Sequence, residues 1–270
     1  MDDTASGLAS IEALLDAAAA RMPLALGRAF WGFGGVHGGL ALALLARAMR
    51  AHAPGQPLRQ VSARFLRPLR GAFELDAQVD HAGRSVTWLS SRAIESGVTV
   101  VAATAVHARG AEDSVRSLGL DMPDVPPPAA CQPYSVPSAL FPLATHIEIR
   151  PVGATRPYAG GRRAELMAWL RIRGEDASPD PERLIFLMDA LAPSYAAILK
   201  APAVLPSATF NVMFGQAREA HTSPWLLLRA TTPLAGRDGW LHERLDAWAE
   251  DGGHWACGEQ LRVLRGSAAG

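Results

Sequence analysis

From residue 40 to residue 46 the chain carries no polar side chain, and Arg47 is the first charge after Gly34, Gly35, Gly38 and Gly39. A helix that is apolar on every side has to be buried on every side. This one is too short, and charged too soon, to cross a bilayer, which takes about 20 apolar residues. Pro54-Gly55 and Pro57 end it near Ala51. The hydrophobic period then drops to two. Val61, Ala63 and Phe65 alternate with Ser62, Arg64 and Leu66 until Pro68 closes the strand. Phe73, Leu75, Ala77 and Val79 are predicted to share the next buried face, against Glu74, Asp76, Gln78 and Asp80. Gly83-Arg84 turns into a strand over 85–94, and Ser96-Gly97 into another over 98–107. Upstream, residues 8–20 predict a short amphipathic helix on the outside of the fold.

One buried helix followed by an antiparallel meander is the plan of a hotdog fold, and the rest of the chain repeats it. Seven prolines lie between 122 and 142, which suits an extended crossover. The pattern divides the chain into a first unit over 1–118, a linker over 119–143 and a second unit over 144–270. In the second unit, strands are expected over 146–150 and 165–173. Asp180, an N-cap with Pro181 behind it, opens a second apolar helix that continues past Asp189 until Pro193 ends or kinks it. Strands over 207–214, 224–230, 240–248 and 255–264 complete the set. Phe65 and Phe214, Gly83-Arg84 and Gly236-Arg237, and Ser96-Gly97 and Asp251-Gly252 recur in the same order. The expected fold class is α+β, a tandem (double) hotdog: two antiparallel sheets joined edge to edge, each wrapped around one buried helix.

Charge narrows the function classes. Lys+Arg and Asp+Glu are both 26, so no net field draws in nucleic acid or an anionic membrane, and no basic run does so locally. Cys131 and Cys257 have no metal-ligand spacing and read as reduced thiols. The acidic start Met-Asp-Asp-Thr is unlike a secretory signal, so a cytoplasmic protein is expected. Neither Gly-x-Ser-x-Gly nor a phosphate-loop Gly-Lys-Ser/Thr occurs.

Candidate chemistry concentrates in the second half. The first helix has no acid between 36 and 49, whereas Asp189 sits in Leu-Ile-Phe-Leu-Met-Asp-Ala-Leu-Ala. Its carboxylate is either turned to a wet edge or buried with partners, because burying it alone would cost several kcal/mol. Ser207, at the start of a strand, and Gln260, on the last strand, are polar residues able to join it, although each also suits an ordinary strand-entrance or solvent-face position. His37, in the glycine turn, reads first as a capping or packing residue. His146 and His242, on expected strands, lie outside any motif, and Trp225, Trp240, Trp248 and Trp255 read as core or interface residues on strands.

Gly34-Gly35 with Gly38-Gly39, Phe65-Leu66-Arg67-Pro68, Gly83-Arg84-Ser85, Met188-Asp189, Trp225-Leu226-Leu227 and Asp251-Gly252 with Gln260 resemble, in order and spacing, the double-hotdog type II acyl-CoA thioesterases and their relatives. The resemblance implies hydrolysis of acyl-CoA to free acid and CoA without metal or organic cofactor. Asp189 would act as base or water-orienting group, and Ser207 and Gln260 would fix the water. Gly34, Gly35 and His37 would contact substrate, with the glycine-rich helix start as one source of oxyanion donors. It further implies a homodimer working in fatty acid metabolism. Ser207 replaces the commoner Thr, and Gly215 stands where the family usually has a polar aromatic residue. Two other readings compete: a non-catalytic acyl- or acyl-CoA-binding hotdog, and an enoyl-thioester hydratase, which would need a His at the same cleft.

Overall fold

The computed structural model describes residues 10–110, 118–139, 141–215 and 222–267. Helix α1 (Ile11–Ala19) starts at Ser10, whose hydroxyl accepts the Ala13 N–H. Residues 8 and 9 of the expected helix lie outside the described residues. Helix α2 (Gly38–Arg50) is the expected buried helix, with Leu40 through Ala46 all at most 3 % exposed. Strands β1 (Leu58–Phe65), β2 (Phe73–Ala82), β3 (Val86–Glu95) and β4 (Val98–Ala108) form the first meander. The second unit contains β5 (Ile147–Pro151), β6 (Glu165–Ile172), α3 (Pro181–Met188), β7 (Ala203–Val204), β8 (Ser207–Phe214), β9 (Leu226–Ala235), β10 (Trp240–Ala249), β11 (His254–Val263) and β12 (Arg265–Ser267).

Ten strands make one antiparallel sheet in the order β2-β3-β4-β1-β8-β11-β10-β9-β6-β5, and β7 and β12 pair separately. The halves meet where β1 runs against β8, with Val61 opposite Val212 and Ala63 opposite Phe210. About this junction the order β1-β4-β3-β2 mirrors β8-β11-β10-β9, the double-hotdog arrangement. Helices α2 and α3 pack on each other and are pinned at both ends. Arg50 in the last turn of α2 pairs with the buried Glu182 in the first turn of α3 at 3.1 Å, while the start of α2 meets the end of α3. Each charge also sits at the helix end whose dipole favours it.

The crossover explains why strands of the second half are apolar on both faces. Leu226, Leu228 and Ala230 of β9 join the helix-side core, whereas Leu227 joins Trp169, Trp248 and Cys131 in a separate cluster. The Pro-rich segment covers that second face. Its carbonyls accept the indole N–H groups: Trp169 to Pro126 at 2.9 Å and Trp248 to Leu120 at 2.9 Å. Arg150 Nη1 donates to Pro128 O at 2.7 Å. A 3₁₀ turn, Pro128–Ala130, interrupts this extended path.

Several local expectations change. Helix α3 stops at Met188, so Asp189 is its C-cap residue rather than a mid-helix one, and Ser194–Ala197 form a separate 3₁₀ turn after Pro193. The Asp189 carbonyl accepts His37 Nε2–H at 2.9 Å, and Pro193, four residues on, has no N–H with which to continue the helix. Val79 is 41 % exposed: the buried alternation of β2 ends at Ala77, and the β2–β3 register shifts just beyond, between Val79 and His81. His146 ends a 3₁₀ turn and stacks on Phe30 at 4.4 Å instead of starting β5. Trp225 precedes β9 and packs against the Arg150 and Arg171 guanidinium groups, at 4.9 and 5.0 Å from its ring.

Candidate active site

The site forms where α2 begins, α3 ends and β11 crosses behind both. Close helix approach depends on Gly39, where an added Cβ would lie 2.6 Å from Asp189 Cβ and 3.1 Å from Ile185 O. At Gly38 a Cβ would come within 3.1 Å of Asp189 Oδ2 and 3.2 Å of the Phe65 ring. With no side chains there, the first turn of α2 sits directly on Asp189.

The Asp189 side chain is 9 % exposed, and each of its oxygens accepts a hydrogen bond. Its Oδ2 accepts the Gly39 N–H at 2.7 Å, and Oδ1 accepts Gln260 Nε2–H at 2.7 Å and Arg262 Nη2–H at 3.1 Å. An ionised carboxylate only accepts, so the Gln260 amide has to present nitrogen to it. Gln260 Oε1 therefore points away and accepts the Ser207 hydroxyl at 2.5 Å. Asp189, Gln260 and Ser207 form one continuous chain of hydrogen bonds.

His37 is the N-cap of α2 and 6 % exposed. Its Nδ1 accepts the Leu40 N–H at 3.3 Å, and Nε2 donates to the Asp189 carbonyl at 2.9 Å. Burial holds its pKa below the ordinary histidine value even though Asp189 pulls it upward. At neutral pH the ring is therefore uncharged, and its Nε2–H, 3.4 Å from Asp189 Oδ2, is a dipole rather than a cation. The positive charge at the site belongs to Arg262. Burial pushes the Asp189 carboxyl up, but His37, Arg262, Gln260 and the Gly39 N–H together outweigh it and hold the carboxyl below the usual range.

Asp189, Ser207, His37 and Arg262 line a cavity of ≈ 360 Å³ whose other walls are largely apolar, among them Phe65, Phe141, Ile149 and Leu191. Gly35 lies on its wall. Gly34 does not, and neither does Gln260, which is 1 % exposed and sits behind Asp189 and Ser207. His242 stands apart on β10, 3.6 Å from Glu259. Among the described residues no group of His, Cys, Asp and Glu could hold a metal ion.

Two residues of the site were not anticipated from sequence. Arg262 is 7 % exposed and donates Nε–H to Glu243 Oε2 at 2.5 Å and Nη1–H to Leu205 O at 3.2 Å. Glu243, 1 % exposed, also accepts the Ser194 N–H at 2.5 Å. A weak signal existed for Arg262: it lies two residues after Gln260 on the same strand and so on the same face. Glu243 gave none, because only the β10–β11 register puts it opposite Gln260.

Fold and site together define a double-hotdog protein with a buried, hydrogen-bonded carboxylate at the wall of an apolar cavity. Residues 28–108 match the acyl-CoA thioesterase N-terminal domain and residues 124–264 the acyl-CoA thioesterase C-terminal domain. The chain belongs to the acyl-CoA thioesterase family. No curated protein matches it in sequence. A hotdog-fold protein of unknown function from Alicyclobacillus acidocaldarius superposes with a TM-score of 0.82 at 23% identity, covering 91% of this chain and 93% of the other. The tesB protein of Mycobacterium avium subsp. paratuberculosis gives 0.72 at 17% identity, covering 95% and 100%. Acyl-CoA thioesterase II TesB2 of Mycobacterium marinum gives 0.66 at 19% identity, covering 97% and 100%. At these identities the likeness speaks to the fold.

Proposed function

We propose that the protein hydrolyses acyl-CoA thioesters to a free carboxylic acid and CoA, using a water held by Asp189 and Ser207 with Gln260 locking the two together. The observation that carries this reading is the convergence of Asp189 and Ser207 on one apolar cavity, bridged by a single amide. The Ser207 proton is committed to Gln260, so its oxygen accepts from the water, and Asp189 accepts the water's other hydrogen. A lone pair is left aimed at the thioester carbonyl. On attack the water's proton passes toward Asp189. The tetrahedral intermediate then collapses, breaking the C–S bond, and CoA leaves with the proton.

The developing oxyanion needs donors. Gly39 N–H is committed to Asp189 and Leu40 N–H to His37. Gly38 N–H, at the first position of α2 and on the cavity wall, has no acceptor among the described residues and is the donor we assign. The hydratase alternative would use His37 as base or acid. Both its ring nitrogens are already bonded within the protein, which favours hydrolysis.

The test is thiol release from short, medium, long and aromatic acyl-CoAs, with Asp189→Asn alongside. Turnover by the parent and a loss of about 10²–10⁴ in kcat for the variant are expected. Equal rates would remove Asp189 from the chemistry. Acyl-CoA binding without turnover by the parent would point to the binding-module reading instead.

A further inference from the structure

Behind the proposed nucleophile site lies a second buried layer of charge. Reading from the cavity inward, Asp189 Oδ1 meets Arg262 Nη2 at 3.1 Å, Arg262 Nε meets Glu243 Oε2 at 2.5 Å, and Glu243 Oε1 meets the Ser194 N–H at 2.5 Å. The Ser194 hydroxyl in turn bonds Thr232 Oγ1 at 2.7 Å. All three ionic side chains are less than a tenth exposed. A buried ion pair is weak evidence for stability, since desolvating both partners offsets much of their attraction. Two further buried charges beside a reactive carboxylate therefore call for a reason other than stability.

The geometry supplies one. We propose that Arg262, clamped by Glu243, is a positioning residue for hydrolysis, holding the Asp189 carboxylate in a single charge-paired orientation with Ser207 and the cavity in front of it. The guanidinium cannot wander, because Nε is fixed by Glu243 and Nη1 by the Leu205 carbonyl. From the other elements, among the described residues, the His37 ring and the Gly39 N–H, both at the start of α2, bond to Asp189. Arg262 is the permanently charged partner of Asp189, and the His37 ring, Gln260 and the Gly39 N–H also favour its ionised form. Glu243 balances Arg262, so Asp189 retains enough basicity to take up a proton. The inference rests on the hydrolytic reading above.

The experiment is the pH profile of kcat and kcat/KM for the parent, Arg262→Met, Arg262→Lys and Glu243→Gln, with folding checked by circular dichroism. A ¹³C-carboxyl titration of Asp189, assigned by its absence in Asp189→Asn, is run on the same proteins. Arg262→Met is expected to move the acid limb of kcat up by about 1–3 pH units, the range over which an adjacent cation acts on an Asp. KM should hardly change, and the Asp189 resonance should move by the same amount. Arg262→Lys should restore part of the shift, and it stands in for the Met variant should that fail to fold. Glu243→Gln should leave the acid limb low while reducing kcat, because the guanidinium loses its anchor. An active parent whose acid limb and Asp189 titration are unmoved by Arg262→Met would overturn the inference and leave Arg262 a packing residue. A parent that hydrolyses no acyl-CoA overturns the hydrolytic reading, and this inference falls with it whatever the titration shows.

Discussion

Ser207 and Gly39 make opposite kinds of contact with the same carboxylate system, and their substitutions should fail differently. Ser207→Ala removes the hydroxyl that Gln260 Oε1 accepts and leaves a buried acceptor unpaired, which costs about 1–3 kcal/mol. On the proposed hydrolytic role it also removes one holder of the water, so kcat should drop by about 100-fold, the lower end of what a positioned group contributes. Ser207→Thr retains the hydroxyl, and its branched Cβ restricts χ1; thiol-release assays should find its activity equal to or above that of the parent. Gly39→Ala acts by volume. The new methyl would overlap Asp189 Cβ at 2.6 Å, forcing α2 and α3 apart at a cost of about 1–3 kcal/mol. A urea midpoint lowered accordingly, with kcat reduced more than KM is raised, is the expected result. Retention of both by Gly39→Ala would mean the helices can separate without disturbing the site.

At the scale of elements, the crossover is a strap over the second face of β6, β9 and β10, fastened by two indole N–H bonds. Trp248→Phe keeps most of the apolar burial but leaves the Leu120 carbonyl without its donor. It should lower stability by about 0.5–1.5 kcal/mol, the net worth of one hydrogen bond, and leave kcat unchanged because Trp248 belongs to the separate cluster on the sheet face away from the helices. Chemical denaturation and the thioesterase assay on the same sample decide this. An equal loss in kcat would show that the strap and the cavity are coupled. Much at this scale was legible beforehand. Buried helices, hairpin turns and the repeat of the two halves follow from periods of 3.6 and 2 and from Gly and Pro positions, which are local properties. The end of α3 at Met188 was not legible, because LIFLMDALA is helical by its own pattern up to Pro193 and the bonds that hold Asp189 come from α2 and β11.

For the whole molecule, pH should act first through histidines. His37 and His107 are held below the ordinary histidine value chiefly by burial. An unfolded chain takes up protons at about 6.5 while these folded rings do not, so the unfolded state binds more protons and stability falls as pH drops below that value. Asp189 has the same sign lower down, where burial raises and its partners more strongly lower its pKa. Its contribution is present above the ordinary Asp value of 3.8 and is lost as pH falls below it. Urea midpoints from pH 8 to 3 should therefore decline in two stages. A flat profile from pH 7 to 5 would contradict the histidine assignment.

By itself the sequence determined which segments are buried on all sides, which alternate, where the chain turns, and that two similar units follow one another. Each depends on the residues within a few positions, whose burial and conformational preferences travel with the chain. It also singled out Asp189, Ser207 and Gln260, from an unusual acid in an apolar run and from their resemblance to a family. Tertiary structure decided what those residues touch: that Gln260 lies behind the cavity rather than on it, that His37 is an uncharged cap, and that Arg262 and Glu243 extend the site inward. Those facts hang on the β10–β11 register and on the approach of two helices across glycines. Both are long-range contacts, and the energy that selects them is shared among partners far apart in the chain.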